Sequence, residues 1–229
     1  LCLGASIMQI EAIKKAKEMG YHVVAVDYDK NAVGRKLADE FFEVSTIDAE
    51  AVLDVAKKCH IDGVVTVATD MPVRTAAVLS ECLGIPGLSK EVAVKATDKI
   101  EMIKSFRENE VPSPQFWVVE NKETFQHLKE KFSYPVIFKP QESSGSRGVI
   151  LVKKLEDSEN AYEYTKNFSK TGKILIEEYL EGPEVSVEVI CENGMVHILT
   201  ITDKLTTGAP FLKRLKKILK KLQHRLSMQ

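Results

Sequence analysis

Apolar and polar positions change period several times along the first ninety residues. Leu1-Cys2-Leu3 is a short apolar run that meets Gly4-Ala5-Ser6, and a stretch of helical period then reaches Gly20, a residue suited to a left-handed C-terminal cap. His22–Asp27 is an apolar run of the buried-strand kind, and Glu40–Val44 reads as a third strand. Asp48 caps a helix over about 49–58, Gly63–Val67 reads as a fourth strand, and Pro72–Leu83 as a further helix. Strands that alternate with helices over short links predict a parallel sheet covered on both faces. From Asp98 the pattern differs. That residue caps a helical stretch from Lys99 to Phe106, and Val111-Pro112-Ser113-Pro114 ends it and feeds a strand, Gln115–Val119. A helix is predicted over about 122–131, then two short strands around Val136-Ile137-Phe138 and Val149-Ile150-Leu151, and helix again to Asn167. Lys173–Leu180 reads as a strand, Glu181-Gly182-Pro183 as a turn, and Glu184–Ile190 as a strand with one polar face. Asn193-Gly194 is a type I′ hairpin signal, with Met195–Thr202 returning. The expected fold class is therefore α/β: a Rossmann-like parallel-sheet N-terminal domain followed by an α+β domain with antiparallel sheets.

Composition narrows the picture without changing it. The 229 residues, 44% hydrophobic and 28% charged, suit an ordinary globular chain able to bury a core. The formal net charge of -1 makes no whole-chain case for a nucleic-acid partner. That average conceals a basic end. Residues 211–229 hold five lysines and two arginines and no acid, so they carry +7 and the preceding 210 residues carry -8. Cys2, Cys59, Cys82 and Cys191 form no Cys-x-x-Cys pair, which argues for buried thiols in a reducing compartment over a zinc site or a disulfide scaffold. No apolar run reaches the ~18 residues of a membrane span and no signal peptide is visible, so the cytoplasm is the expected location. The chain opens at Leu1, already inside a strand-like run, and a few preceding residues are expected.

Two motifs invite a phosphate reading, and two standard solutions fail. Gly4 and Asp27 occupy the first-glycine and acid positions of a dinucleotide fingerprint, but Ser6 and Gln9 stand where its second and third glycines belong, so a nicotinamide cofactor is not expected. The run 138-FKPQESSGSRGV-149 joins two strands and not a strand to a helix, and it lacks the Gly-x-x-x-x-Gly-Lys-Ser/Thr pattern of a P-loop. What remains is a flap. Gly145 and Gly148 free the backbone, Ser143, Ser144 and Ser146 add donors, and Lys139 and Arg147 offer point charges that suit a polyphosphate. A solvated Ser/Gly loop is the plainer alternative, and Lys99, Glu177, Glu178 and Glu184 taken singly read as surface charges.

Taken together, Lys99, 134-YPVIFKPQESSGSRGV-149 and 174-ILIEEYLEGPEVSVEV-189 resemble the ATP-grasp superfamily, which includes biotin carboxylase, D-alanine–D-alanine ligase and the carbamoyl-phosphate synthase large chain. The resemblance covers about residues 1–210. It implies a Rossmann-like domain over 1–95 and an incomplete ATP-grasp domain over 96–210, with a lid subdomain at about 112–176 and a second subdomain beginning at 177. It further implies that Lys99 and Lys139 contact ATP phosphates, that Ser143, Ser144, Gly145, Ser146, Arg147 and Gly148 form the mobile lid, and that Glu177 accepts from the adenine amino group. The backbone of Glu178, Tyr179 and Leu180 would line the adenine edge, and Glu184 would hold the ribose. In such ligases ATP phosphorylates a carboxylate, and an amine attacks the acyl phosphate.

After Pro210 the resemblance stops. The Glu and the Glu-x-Asn pair that hold magnesium in the family have no counterpart in this chain, so little or no ligase activity is expected from the polypeptide alone, and no catalytic residue is assignable. ATP is the expected cofactor, with small carboxylate and amine substrates in the parent family. The alternative is a non-catalytic ATP- or ADP-binding or interaction module. In 211-FLKRLKKILKKLQHRLSMQ-229, Phe211, Leu212, Leu215, Ile218, Leu219, Leu222 and Leu226 recur at helical spacing with basic residues opposite. That basic amphipathic tail suits a membrane surface, a protein partner or docking on this chain's own core, and a homodimer is a further open partner.

Overall fold

The computed structural model describes residues 1–204. The basic tail expected over 211–229 lies outside the described residues. The chain divides into two compact units, one spanning Leu1–Asn109 and one beginning at Glu110, and each is described by itself.

In the first unit β1 (Cys2–Leu3), β2 (Val24–Asp27) and β3 (Glu40–Glu43) pair in parallel in the order β1-β2-β3. Helix α1 (Ile10–Glu18) packs Ile13 against Cys2, Ala5 and Ala25 on one face. On the other face α2 (Ala49–Lys58) and α3 (Pro72–Leu83) bring Val52, Val55, Ala56 and Leu79 onto Leu3, Val24 and Val26. Alternate residues of one strand thus feed two cores, as a period of two requires. Asp48 caps α2 by accepting from the Ala51 N–H at 3.1 Å. Gly20 lies just past α1 with φ +84°, where a residue with a Cβ would be strained. The fourth strand expected at Gly63–Val67 contracts to a single parallel bridge, Cys2 with Val65, because its partner β1 is only two residues long. Two helices close the unit: α4 (Lys90–Thr97), which the periodicity did not reveal, and α5 (Lys99–Glu108). Asp98 caps α5 with Oδ1, accepting from Ile100 at 2.9 Å and Glu101 at 3.2 Å.

In the second unit β4 (Phe116–Val119), β5 (Val136–Pro140), β6 (Ile150–Val152) and β7 (Ile174–Glu178) form one antiparallel sheet in the order β4-β7-β5-β6. Helices α6 (Lys122–Leu128) and α7 (Ser158–Lys166) cover one face, stacking Phe125 on Tyr162 with ring centroids 4.5 Å apart above Phe138 and Ile176. The α-helix expected to reach Lys131 ends at Leu128 and tightens into a 3₁₀ turn, Lys129–Lys131. A two-stranded ribbon, β8 (Val185–Glu192) with β9 (Met195–Asp203), turns through Asn193 and Gly194 at φ +50° and +77°, as the type I′ signal requires. The architecture is α/β, parallel in the first unit and antiparallel in the second, as the sequence indicates. The thiols are a correction. All four are free, but Cys82 and Cys191 are exposed, the latter on a two-stranded ribbon whose residues are nearly all exposed.

Candidate functional site

Cross-strand register builds the site. Directly opposed residues share a face of an antiparallel sheet, so Phe116, Glu177, Ile137 and Leu151 form one row across β4, β7, β5 and β6. Two residues further along, Val118, Leu175 and Lys139 form the next row on that face. Lys139 and Glu177 are therefore diagonal neighbours, and the lysine Nζ donates to Glu177 Oε2. Glu177 is 8% exposed, so its charge is held in an apolar wall with the lysine as its counter-ion. The face opposite to helices α6 and α7 thus offers an apolar floor with one cation and one carboxylate. Ile137, Leu151, Leu175 and Phe116 belong to this site and were passed over in the sequence. The signal was the alternation in 136-VIFKP-140, but which strand lies beside it cannot be read from one chain segment.

The flap leaves the end of β5 next to Lys139. Gly145, Ser146 and Gly148 have φ of +65°, +57° and +76°. A Cβ on Gly148 would meet Phe168 Cβ at 2.6 Å and Pro140 Cγ at 2.8 Å, whereas nothing lies within 4 Å of one on Gly145. The loop thus has a fixed heel and a free tip. Thr165 Oγ1 donates to the Gly148 carbonyl at 3.0 Å and holds the heel to α7. At the tip Arg147 Nε donates to the Ser144 carbonyl at 3.2 Å, which curls the exposed Ser144, Gly145, Ser146 and Arg147 into a turn, while Ser143 is half-buried.

At the other end of β7 the backbone is partly committed. The Glu178 N–H donates to the Gln115 carbonyl at 2.8 Å and that of Tyr179 to Pro135 at 3.2 Å. Of the three residues expected along an adenine edge, Leu180 keeps an N–H that no hydrogen bond among the described residues occupies. Four residue steps of strand, about 13 Å, separate this end from the flap end. Glu184 Oε2 sits 2.5 Å from Lys204 Nζ across the mouth of the ribbon, and the Lys204 N–H donates to the Glu184 carbonyl at 2.8 Å. The structure therefore brings Lys139, Glu177, the flap and the end of β7 onto one sheet. Lys99 opens α5 in the first unit.

The first unit has a cavity of about 230 Å³ at the carboxyl ends of its strands, lined by Leu3, Gly4, Ser6, Gln9, Asp27 and Thr69 among others. Its acid is spoken for. Asp27 Oδ2 accepts from the Ala5 N–H at 2.8 Å and Oδ1 from Asp29 at 3.0 Å, and Gln9 packs on Gly4 where a dinucleotide would need glycine. Among the described residues no three His, Cys, Asp or Glu side chains gather to hold a metal ion, and no helix is long and apolar enough to cross a membrane.

Comparison with known proteins bears on both units. Residues 96–211 match a family model described as an ATP-grasp domain, and residues 1–80 match one described as a PylC-like N-terminal domain. The formate-dependent phosphoribosylglycinamide formyltransferase of Prochlorococcus marinus is 29% identical over 185 residues, covering 79% of this chain and 47% of its own. Phosphoribosylglycinamide synthetase from Anaerococcus prevotii superposes with TM-score 0.67 at 25% identity, over 92% of this chain and 53% of its own. The biotin carboxylase domain dimer of 2-oxoglutarate carboxylase from Hydrogenobacter thermophilus, solved with MgADP, ADP and bicarbonate, superposes with TM-score 0.75 at 20% identity. That superposition covers 99% of this chain and 56% of the other and speaks for the fold. The chain spans about half the length of the curated relatives it matches.

Proposed function

The chain belongs to the ATP-grasp ligase family, and from that premise we propose that it binds an adenine nucleotide along the Lys139–Glu177 face, in the service of a carboxylate–amine ligation through an acyl phosphate. The observation that carries the reading is the diagonal placement of Lys139 and Glu177 on an apolar floor, between a hydroxyl-rich flap and the Leu180 N–H, which no hydrogen bond among the described residues occupies. Adenine is apolar on its faces and polar at its edge. Ile137 and Leu151, both half-buried, would take the face, Leu180 N–H would donate to the edge, and Glu177 would accept from the exocyclic amino group. Lys139 would leave Glu177 for the phosphates. The exchange is neutral in charge: the carboxylate gains an N–H donor as the ammonium gains an anion. The flap would close over the phosphates through Ser143, Ser144, Ser146 and the backbone of Gly145 and Gly148, with Arg147 as a second cation. Glu184 would hold the ribose after release by Lys204. The ATP-grasp part is proposed to begin near residue 96, with the lid over about 112–176.

Magnesium does not fit the described residues. The carboxylates of Glu177 and Glu184 are each engaged by a lysine, and no cluster of acids stands beside them. Ligation by this polypeptide alone is therefore proposed to be weak. The same observation favours, as the second reading, a non-catalytic ATP- or ADP-binding module.

Two assays separate these. A rise in melting temperature with ATP, with and without magnesium, reports binding; no rise at millimolar ATP or ADP contradicts the proposal. ADP release over a panel of carboxylates with amines reports ligation, and brisk turnover would overturn the view that this chain alone is weak.

A further inference from the structure

One segment clasps both stems of the flap. It is residues 165–173, the end of α7 and the turn that leads into β7. On the returning stem Gly148 is buried, with Phe168 and Pro140 where a Cβ would stand, and Thr165 Oγ1 donates to its carbonyl. On the leaving stem Thr171 Oγ1 donates to Gln141 Oε1 at 2.7 Å, a contact between residues 30 apart in sequence. The Gln141 N–H also donates to the Lys173 carbonyl, but at 3.3 Å, slightly beyond the usual N–H···O range. The turn is itself braced. Ser169 Oγ donates to that carbonyl at 2.7 Å, and the Lys173 N–H donates to Thr171 Oγ1 at 3.3 Å. Burial follows the same plan: Gln141 is half-buried and Gly148 buried, whereas residues 144–147 are exposed.

The two stems are not held alike. The returning stem is packed, and releasing it means pulling Gly148 away from Phe168 and Pro140. The leaving stem is latched chiefly by one hydroxyl on an exposed residue, and a single bond of that kind has a small net worth, so it can break and re-form. Residues 142–147 lie between the stems, roughly 20 Å of chain, so the tip reaches about 10 Å from them. Where the tip points is then set by the latch. Lys139 stands just before Gln141 in the chain, and Ser143, Ser144 and Ser146 follow shortly after it. We infer that Thr171 is a positioning residue: by holding Gln141 it aims the flap at the phosphates, while the base is left to β5 and β7. This rests on the nucleotide reading proposed above. A loop already aimed loses less conformational freedom on binding, so the latch strengthens affinity for the phosphate end alone.

The test uses the full chain with Thr171→Val, which keeps the side chain's shape and removes its hydroxyl, and with Thr171→Ser, which keeps the hydroxyl. Without ligand, trypsin cleavage after Arg147, mapped by mass spectrometry, should be on the order of fivefold faster in Thr171→Val, the factor that one net hydrogen bond supplies. Thr171→Ser should match the parent. A parent-like rate in Thr171→Val, or equal acceleration at cleavage sites throughout the chain, would overturn the latch. With ligand, calorimetry on Thr171→Val should show ATP held about fivefold more weakly and adenosine held as by the parent. Equal losses for both ligands, or no loss for ATP, would overturn the positioning role. If the parent binds neither ligand, the nucleotide reading and the positioning role fall together, while the trypsin rates still decide the latch. If Thr171→Val fails to fold, Gln141→Met removes the same bond from the other side and is read in the same way.

Discussion

At the scale of residues, the flap makes a sharp distinction between two glycines that look alike in the sequence. Gly148→Ala combines a left-handed φ with contacts at 2.6–2.8 Å from Phe168 and Pro140, so it should cost about 3 kcal/mol or more in urea unfolding. Gly145→Ala meets nothing and should cost about 1 kcal/mol. Equal costs would show that the loop's heel is not packed as described. The glycines were legible as flexible points; that one of them is a packing position was not, because Phe168 lies twenty residues away in sequence. Lys139 and Glu177 were likewise legible as candidates from their family-like surroundings. Their contact was not, since it depends on β5 pairing with β7 across an intervening strand and helix.

Elements tell a similar story through their ends. Asp48, Asp98 and Asn121 are caps whose signal is local, and each side chain accepts from a backbone N–H in the first turn it precedes. Asp98→Ala should remove about 1 kcal/mol or more, because it also leaves Arg74, 3.7 Å from Asp98 Oδ2, with a weaker counter-charge. A change below a few tenths of a kcal/mol in chemical denaturation would contradict this. Helix α4 escaped detection for a reason of the same kind. Val92 and Val94 alternate like a strand, Thr97 adds a β-branch, and its C-cap is also the N-cap of the next helix. Between α6 and α7, Lys122 and Lys129 bond Glu159, joined by Gln126, and hold the Glu159 carboxyl down at about 2. A lowered carboxyl pKa stabilises the fold above its ordinary value of 4.5 and loses that contribution as pH falls towards 2. The group is 41% exposed, so the effect should be no more than about 1 kcal/mol. Glu159→Gln should therefore be less stable than the parent at pH 6, and the two should converge by pH 2. A gap that persists in acid would assign the loss to packing.

For the whole molecule, periodicity gave the fold class because the two units change period: strands alternate with helices in the first, and strands pair antiparallel in the second. Family membership follows from the match over residues 96–211. The substrates remain outside both, since the chain spans about half the length of its curated relatives. For the molecule as a whole, the commitment we propose is an adenine nucleotide on the Lys139–Glu177 face. ATP titration by calorimetry, on the 229-residue chain and on Lys139→Met, tests that commitment most directly. The account predicts saturable binding by the parent and affinity at least tenfold weaker, about 1.4 kcal/mol, in a variant that still folds. No heat from the parent, or equal affinity in both, would contradict it.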